Sequence, residues 1–553
     1  MSAVYAHALN AGATLLDPRQ TRFRVWAPSQ SEMQLQLDDG RRLPMSAQVD
    51  GWFEAVVDCG AGTGYRYRLA DGQLVPDPVS RLQRDDAHGD SVVVDPYAYR
   101  WRHTQWKGRP WHEVVLYELH VGCCGGYEGL RRRLPELAAL GVTAIELMPL
   151  SDFPGARNWG YDGVLPYAPD AAYGTPEQLK ELIDDAHGLG LMVFLDVVYN
   201  HFGPDGNYLH AYAPSYFRED EPTLWGPAID FRRPQVREYF TQNAIYWLQE
   251  YRFDGLRFDA VHAIHDSSWL DETAATIRAT VEPGRHVHLV LENDANVAQH
   301  LRRSPLSGFD AQWNDDFHHA MHVLLTGESE GYYDAFASSP AAHLARCLAE
   351  GFAYQGEHSS VHGAARGTPS GDLPPHAFVT FLQNHDQIGN RAFGERLTEL
   401  ADAQALRAAS ALQLLSPNIP LLFMGEEWNC RQPFLFFTDH GAELAQAVRD
   451  GRRREFARFA AFSSGPGQDR EIPDPNAPRT FEASCPDFDA AHAGEPAARR
   501  REIAEWLRLR REHVAPGLPG ARSLGAEVLS AAAVQARWRL GNGTRLVLAI
   551  NLG

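Results

Sequence analysis

The 553-residue sequence predicts a multidomain protein: a central (β/α)8 TIM barrel, preceded by a β-sandwich and followed by a short β domain. Three observations carry this reading. From Glu113 onward, strand-like apolar runs alternate with helical ones about eight times, the rhythm of parallel βαβ units closing into a barrel. Before Glu113 the runs are short, alternate inside and outside, and are separated by Gly- and Asp-rich turns. Near the end, two alternating runs flank Gly541-Asn542-Gly543, a hairpin signal.

Residues 1–95 form the expected sandwich, with strands at 21–26, 33–37, 52–57 and 65–69. Residues 96–112, rich in Trp and charge, read as a linker, and residues 113–445 as the barrel. Its strands are expected at 114–120, 143–148, 191–198, 253–258, 288–291, 309–313, 378–382 and 421–423, the sixth being the least distinct. Helices are expected at 130–140, 234–251, 268–281 and 404–415. In 234–251, Val236, Phe240, Ala244, Trp247 and Leu248 share one face. Another helix opens on Thr175-Pro176-Glu177-Gln178, with Thr as N-cap, Pro at the first position and Gln at the third, a capping box. A helical and loop connection, residues 446–515 with a helix at 497–512, leads to the C-terminal β domain at 516–553.

Composition narrows the function. The net charge of −20 and the lack of a long Lys/Arg block argue against nucleic acid as a partner. No run approaches the roughly 18 apolar residues of a membrane span. Residues 1–17 have no basic flank before an apolar core, so a cytoplasmic protein is expected. Six scattered Cys without a CxxC pair fit reduced thiols there, and the neighbours Cys123 and Cys124 cannot readily bridge each other.

Chemistry is expected just after the strands, on the rim where barrel active sites lie. His201 follows the third strand, with Asp196 just before that strand's end; Asp259 follows the fourth, Glu292 the fifth, and His385 and Asp386 the seventh. Arg257 and Asp259, two apart in a strand, share a face, and a guanidinium there favours an ionised carboxylate. Two chemistries compete. One is metal-assisted hydrolysis with Asp196, His201, Asp259, Glu292 and His385 as ligands. The other is glycoside hydrolysis by two carboxyl groups. Arg257 favours the second, because a cation beside Asp259 opposes a metal. The aromatics Trp159, Tyr161, Tyr167, Tyr173, Tyr199 and Trp313 would suit sugar faces, although packing is the ordinary role of any one of them.

Four stretches carry a resemblance. Asp196-Val197-Val198-Tyr199-Asn200-His201, residues 255–262, Leu289-Val290-Leu291-Glu292 and Asn384-His385-Asp386 resemble, in order, the four signature regions of the α-amylase superfamily, glycoside hydrolase family thirteen. Residues 157–163, 312–319, 326–333, 383–391 and 421–428 are similar to its maltooligosyltrehalose trehalohydrolase branch. The resemblance implies a retaining mechanism, with Asp259 as nucleophile, Glu292 as general acid/base and Asp386 as a third carboxylate that holds sugar hydroxyls. Arg257, His201, His385, Tyr161, Asp196, His262, Trp313, Asp315 and Asp316 are the expected substrate-binding residues.

The resemblance implies an oligosaccharide substrate, maltooligosyl trehalose, cleaved at the α-1,4 bond beside its terminal trehalose, with a sandwich like a carbohydrate-binding module. A branching or debranching enzyme of the superfamily, or a non-catalytic glucan-binding relative, is the alternative; the three carboxyl groups count against the latter. No cofactor or metal is expected. Asn200 resembles a calcium ligand of some amylases, but a loop hydrogen bond is the commoner role. The chain departs from the family at Cys123-Cys124-Gly125-Gly126, where a longer polar rim loop is usual, and in a short C-terminal β domain.

Overall fold

The computed structural model describes residues 3–223, 226–302, 308–456 and 471–553. Residues 457–470 of the expected connection lie outside the described residues.

Eight parallel strands close a barrel: β1 (Leu116–Leu119), β2 (Ala144–Leu147), β3 (Met192–Val197), β4 (Gly255–Phe258), β5 (His288–Leu291), β6 (Ala311–Trp313), β7 (Phe378–Thr380) and β8 (Ile419–Phe423). β8 returns to β1 through the pairs Leu116↔Leu421 and Glu118↔Phe423. The period of two sorts their side chains. Leu116, Ala144, Met192, Phe194, Val290, Ala311, Trp313, Val379 and Leu421 pack together inside the barrel. Ile145, Leu147, Val193, Leu195, Leu256 and Leu289 face outward into the helical layer. Along the inward rows the apolar residues give way to Glu118, Glu146, Asp196 and Arg257, so the polar layer sits at the C-terminal rim.

The sixth strand is three residues long, set between β5 and β7 by the pairs Leu291↔Gln312 and Gln312↔Phe378, which explains its faint pattern.

The helical layer comprises α1 (Gly126–Leu140), α2 (Pro176–Gly188), α3 (Pro234–Gln249), α4 (Ser268–Thr280), α5 (Asp315–Thr326), α6 (Pro340–Glu350) and α7 (Ala403–Leu415). Between β5 and β6 the described residues hold one short 3-10 turn, Ala298–Leu301. α2 opens with the expected capping box: Gln178 N–H donates to Thr175 Oγ1 (3.3 Å) and Thr175 N–H to Gln178 Oε1 (2.8 Å). Among the described residues no helix is long and apolar enough to cross a membrane.

The N-terminal unit is a sandwich of two antiparallel sheets. Phe23, Val25 and Phe53 of one meet Leu35, Tyr65 and Tyr67 of the other, with Phe23 edge-on to Tyr65 at 4.7 Å. It is fastened to the barrel through buried Glu250, just after α3, which receives Arg81 (3.0 Å), Lys180 (3.3 Å) and the His7 backbone N–H (3.1 Å).

The C-terminal sheet has three strands, Arg522–Ser530, Ala533–Arg539 and Arg545–Asn551. The first lacks a clear alternation in the sequence because most of it is exposed at the sheet edge. Val534, Ala536 and Trp538 pack on α6, and Trp538 Nε1 donates to the Leu348 carbonyl (3.1 Å). The helix expected at 497–512 spans Gly494–Leu509 and continues as a π turn, Arg510–Val514. Arg510 is buried there and donates to the carbonyls of Leu414 (3.1 Å) and Ser416 (2.6 Å), capping the end of α7.

Candidate active site

One guanidinium organises the rim. Arg257, from β4, is buried, and its Nη1 donates to Asp196 Oδ2 (2.6 Å) and to Asp259 Oδ1 (2.8 Å). Its Nη2 lies 3.6 Å from Glu292 Oε2, and its face lies 4.2 Å from the centre of the Trp313 ring. Three strand ends and an aromatic from β6 thus converge on one cation. The Tyr161 hydroxyl, on the loop after β2, adds a 2.5 Å hydrogen bond to Asp196 Oδ2.

The turn after β4 also serves Glu292. Ala260 adopts φ +40°, a left-handed conformation that a residue with a Cβ rarely takes. That turn aims its N–H at Glu292 Oε2 (2.5 Å), while Val261 N–H donates to the Glu292 carbonyl (3.0 Å). Asp259 and Glu292 are therefore held by one guanidinium and one turn, side chains 11% and 19% exposed, both reachable from the cleft.

Burial sets the electrostatics. It pushes Asp259 well above the usual carboxylate range; Arg257 opposes this, and the Glu292 and Asp196 charges reinforce it. Arg257 favours the ionised form as expected, but its single cation is divided among three carboxyl groups and does not offset the burial. Burial likewise raises Asp196 against the pull of Arg257.

His385 follows β7 and lies face to face with Tyr161 (ring centres 5.0 Å apart) and edge-on to Trp159 (5.5 Å). Its backbone N–H donates to Glu118 Oε2 (3.1 Å), and its Nδ1 bonds Glu118 Oε1. Burial disfavours the imidazolium, but the Glu118 charge outweighs it and lifts His385 above its ordinary value. His201 behaves oppositely: its Nε2 donates to the Tyr161 carbonyl (3.0 Å), and burial brings it down to about 4 despite nearby Asp162.

Asp386 opens onto the cleft, its Oδ1 accepting from Asn390 Nδ2 (2.5 Å). Asp315, half-buried at the start of α5, accepts from Gln387 Nε2 (3.3 Å). The exposed His262 accepts from the Asp294 N–H (3.3 Å).

Several expected binding groups lie elsewhere. Asp316 is a buried anchor: Arg366 bonds Oδ1 (2.5 Å), while Asn296 Nδ2 (3.0 Å) and the N–H groups of Ala353 (2.8 Å) and Tyr354 (3.1 Å) fill Oδ2. Tyr167, Tyr173 and Tyr199 are core residues, with the hydroxyl of Tyr167 on the Tyr239 carbonyl and that of Tyr199 on Asn243. Trp159 stacks on Phe434 (5.4 Å), and of the six aromatics only Tyr161 is not fully buried. Neither side-chain atom of buried Asn200 is bonded, so the expected loop hydrogen bond is not made. Three of the five residues weighed as metal ligands, Asp196, Asp259 and Glu292, surround a guanidinium, and among the described residues no three His, Cys, Asp or Glu side chains are grouped to hold an ion.

Glu118 is the group that sequence reasoning passed over. It stands near the end of β1, the same strand-end signal that singled out Asp259 and Glu292, but its partner His385 lies 267 residues away. The rim stretch Gly122–Cys124 forms a 3-10 turn with both cysteines buried, and all six cysteines are free.

Known proteins resemble this chain throughout. The alpha amylase catalytic-domain family matches residues 85–223, carbohydrate-binding module 48 (isoamylase N-terminal domain) residues 10–98, and a domain of unknown function residues 521–553. A malto-oligosyltrehalose trehalohydrolase of Deinococcus radiodurans is 41% identical over 96% of this chain and 89% of its own length. The protein of that name from Saccharolobus solfataricus is 40% identical over 80% of this chain and 79% of its own. A crystal structure assigned as an alpha amylase of Salmonella typhimurium superposes with a TM-score of 0.94 at 46% identity, covering 99% of this chain and 94% of that one.

Proposed function

This chain belongs to the malto-oligosyltrehalose trehalohydrolase family of alpha-amylase-type glycoside hydrolases, and from that premise we propose that it cleaves the α-1,4-glucosidic bond beside the terminal trehalose of maltooligosyl trehalose. The products are trehalose and a maltooligosaccharide. The observation that supports the chemistry is the sharing of the Arg257 guanidinium by Asp259 and Glu292, which brings two carboxyl groups to one cation at the barrel rim.

In this reading Asp259 attacks the anomeric carbon while Glu292 donates a proton to the leaving glycosidic oxygen. Glu292 then takes a proton from water as that water displaces Asp259. The buried Asp259 charge is poorly compensated in the free site, because Arg257 is divided among its neighbours. Positive charge developing on the sugar ring supplies what is missing, so stabilisation grows toward the transition state. Tyr161 stacks on His385 and offers the sugar an aromatic face, while Asp386 offers a carboxylate for its hydroxyls. A cytoplasmic setting accords with six free cysteines.

The substrate choice rests on likeness along nearly the whole chain to relatives of that name. Incubation with maltotriosyl trehalose should release trehalose and maltotriose, and maltopentaose should be cut much more slowly. Equal rates on the two, or maltose as the main disaccharide, would place the chain with the glucan branching and debranching enzymes.

A further inference from the structure

Beneath the carboxyl groups described above, Glu146 is unaccounted for. It lies in β2, 1% exposed, and no protein group bonds either of its carboxyl oxygens. Register places it beside Glu118 (Glu118↔Glu146), with the inward rows continuing across Phe194 to Asp196 and Arg257. A buried carboxyl group without a partner is costly, and interiors meet that cost with bound water bridging several polar atoms. The needed partners are present: Asp196 Oδ1, Arg257 Nε and Trp313 Nε1 are also buried and unbonded, and Arg257 lies on the Trp313 ring. One acceptor and two donors thus share the barrel interior with Glu146.

We propose that Glu146 is a positioning residue for the nucleophile: through water held inside the barrel it hydrogen-bonds Asp196 Oδ1 and Arg257 Nε, fixing the guanidinium that carries Asp259. Glu146 does so as a neutral acid, since burial and the charges of Glu118 and Asp196 push its carboxyl well above the usual range, against Arg257. Its O–H donates toward Asp196, and its carbonyl oxygen accepts from water that in turn accepts hydrogen bonds from the N–H groups of Arg257 and Trp313.

The inference rests on Asp259 being the nucleophile, so its test separates the two. An α-maltosyl fluoride needs no acid to expel its leaving group and reports the nucleophile directly. Glu146→Leu should lower kcat about tenfold on both the fluoride and the oligosaccharide, the scale of a slightly misplaced reacting group, with KM little changed. Glu146→Gln keeps a donor and an acceptor and should restore most of the rate. Its pH profile should match that of the parent, because one neutral group replaces another. A full rate for Glu146→Leu on the fluoride overturns the proposal. So does an acid limb displaced by more than about half a unit in Glu146→Gln, which would mark Glu146 as a charge; this arm decides if the Leu variant does not fold. Failure of the parent enzyme to be labelled on Asp259 by a slow fluorinated substrate would overturn the nucleophile assignment instead.

Discussion

Glu118 binds both the backbone N–H and the imidazole Nδ1 of His385, tying the end of β1 to the segment after β7 at the barrel's C-terminal rim. The Glu118 charge favours the cationic form of His385, and a positive charge there in turn favours the charged forms of Asp386 and Asp259.

A pH prediction follows from the sign of that shift. The folded His385 value lies above the ordinary His value of about 6.5. Stabilisation from the pair is therefore complete below about 6.5 and is lost as the pH rises through the folded value. Glu118→Gln removes the lifting charge, so the alkaline limb of kcat/KM should move to lower pH by about one unit or more. The profile of the variant, measured on one oligosaccharide, checks this; an unmoved limb would mean that His385 does not control it.

Asp316 and Arg366 form a buried pair, and its burial points to a role in stability. Asp316→Ala leaves the guanidinium with Asp294 as its remaining carboxylate partner (2.9 Å) and exposes two backbone N–H groups to the loss of their acceptor. The cost should be about 3 kcal/mol, the low end for breaking a buried pair. Urea unfolding reads the loss, and KM of the folded enzyme should stay near that of the parent; a large rise in KM without loss of stability would return Asp316 to the substrate.

Glu292 is held by the Ala260 N–H and faces Arg257. Glu292→Gln keeps the shape and the accepting oxygen but has no proton to give. Turnover of an oligosaccharide should fall by at least ~10²-fold, the low end for general acid catalysis. Azide, a nucleophile that needs no base, should restore part of the rate on a substrate with a good leaving group. Near-normal turnover would remove Glu292 from the role.

The barrel was legible because its physics is local. Period-two strands and a Thr-Pro-Glu-Gln cap at residues 175–178 depend on neighbours in sequence, and both are found. Placement of the candidate carboxyl groups on the rim was legible for the same reason: Asp259 and Glu292 follow their strands directly. What escaped depends on contacts across the fold. Asp316 follows Asp315 in sequence, yet one points toward Gln387 at the cleft and the other into Arg366, a difference made by the α5 helix turn. Glu146 carries the strand-end signal too, but it is buried in the barrel interior, where register with Glu118 decides its surroundings. Tyr167 and Tyr199 are large enough for a sugar face, and only packing against Tyr239 and Phe240 shows that they are core.

The stereochemistry of hydrolysis tests Asp259 and the mechanism together. If Asp259 is the nucleophile, the glycosidic bond is broken in two displacements, each inverting the anomeric carbon, so the α configuration returns. Maltotriose released from maltotriosyl trehalose should therefore appear first as its α-anomer, seen by NMR before mutarotation. A 5-fluoro α-glycosyl fluoride slows the second displacement, and peptide mass mapping should find the sugar on Asp259. The two readouts fail differently. A β-anomer appearing first would mean that water attacks directly, with Asp259 acting as a base and the two carboxyl groups spaced for an intervening water. An α-anomer with the label on Asp196 would keep the retaining mechanism and exchange the two carboxylates that Arg257 binds through one nitrogen. The geometry favours Asp259 between them, because Asp196 is the deeper, its Oδ2 already taken by the Tyr161 hydroxyl, while Asp259 is the more open to the cleft.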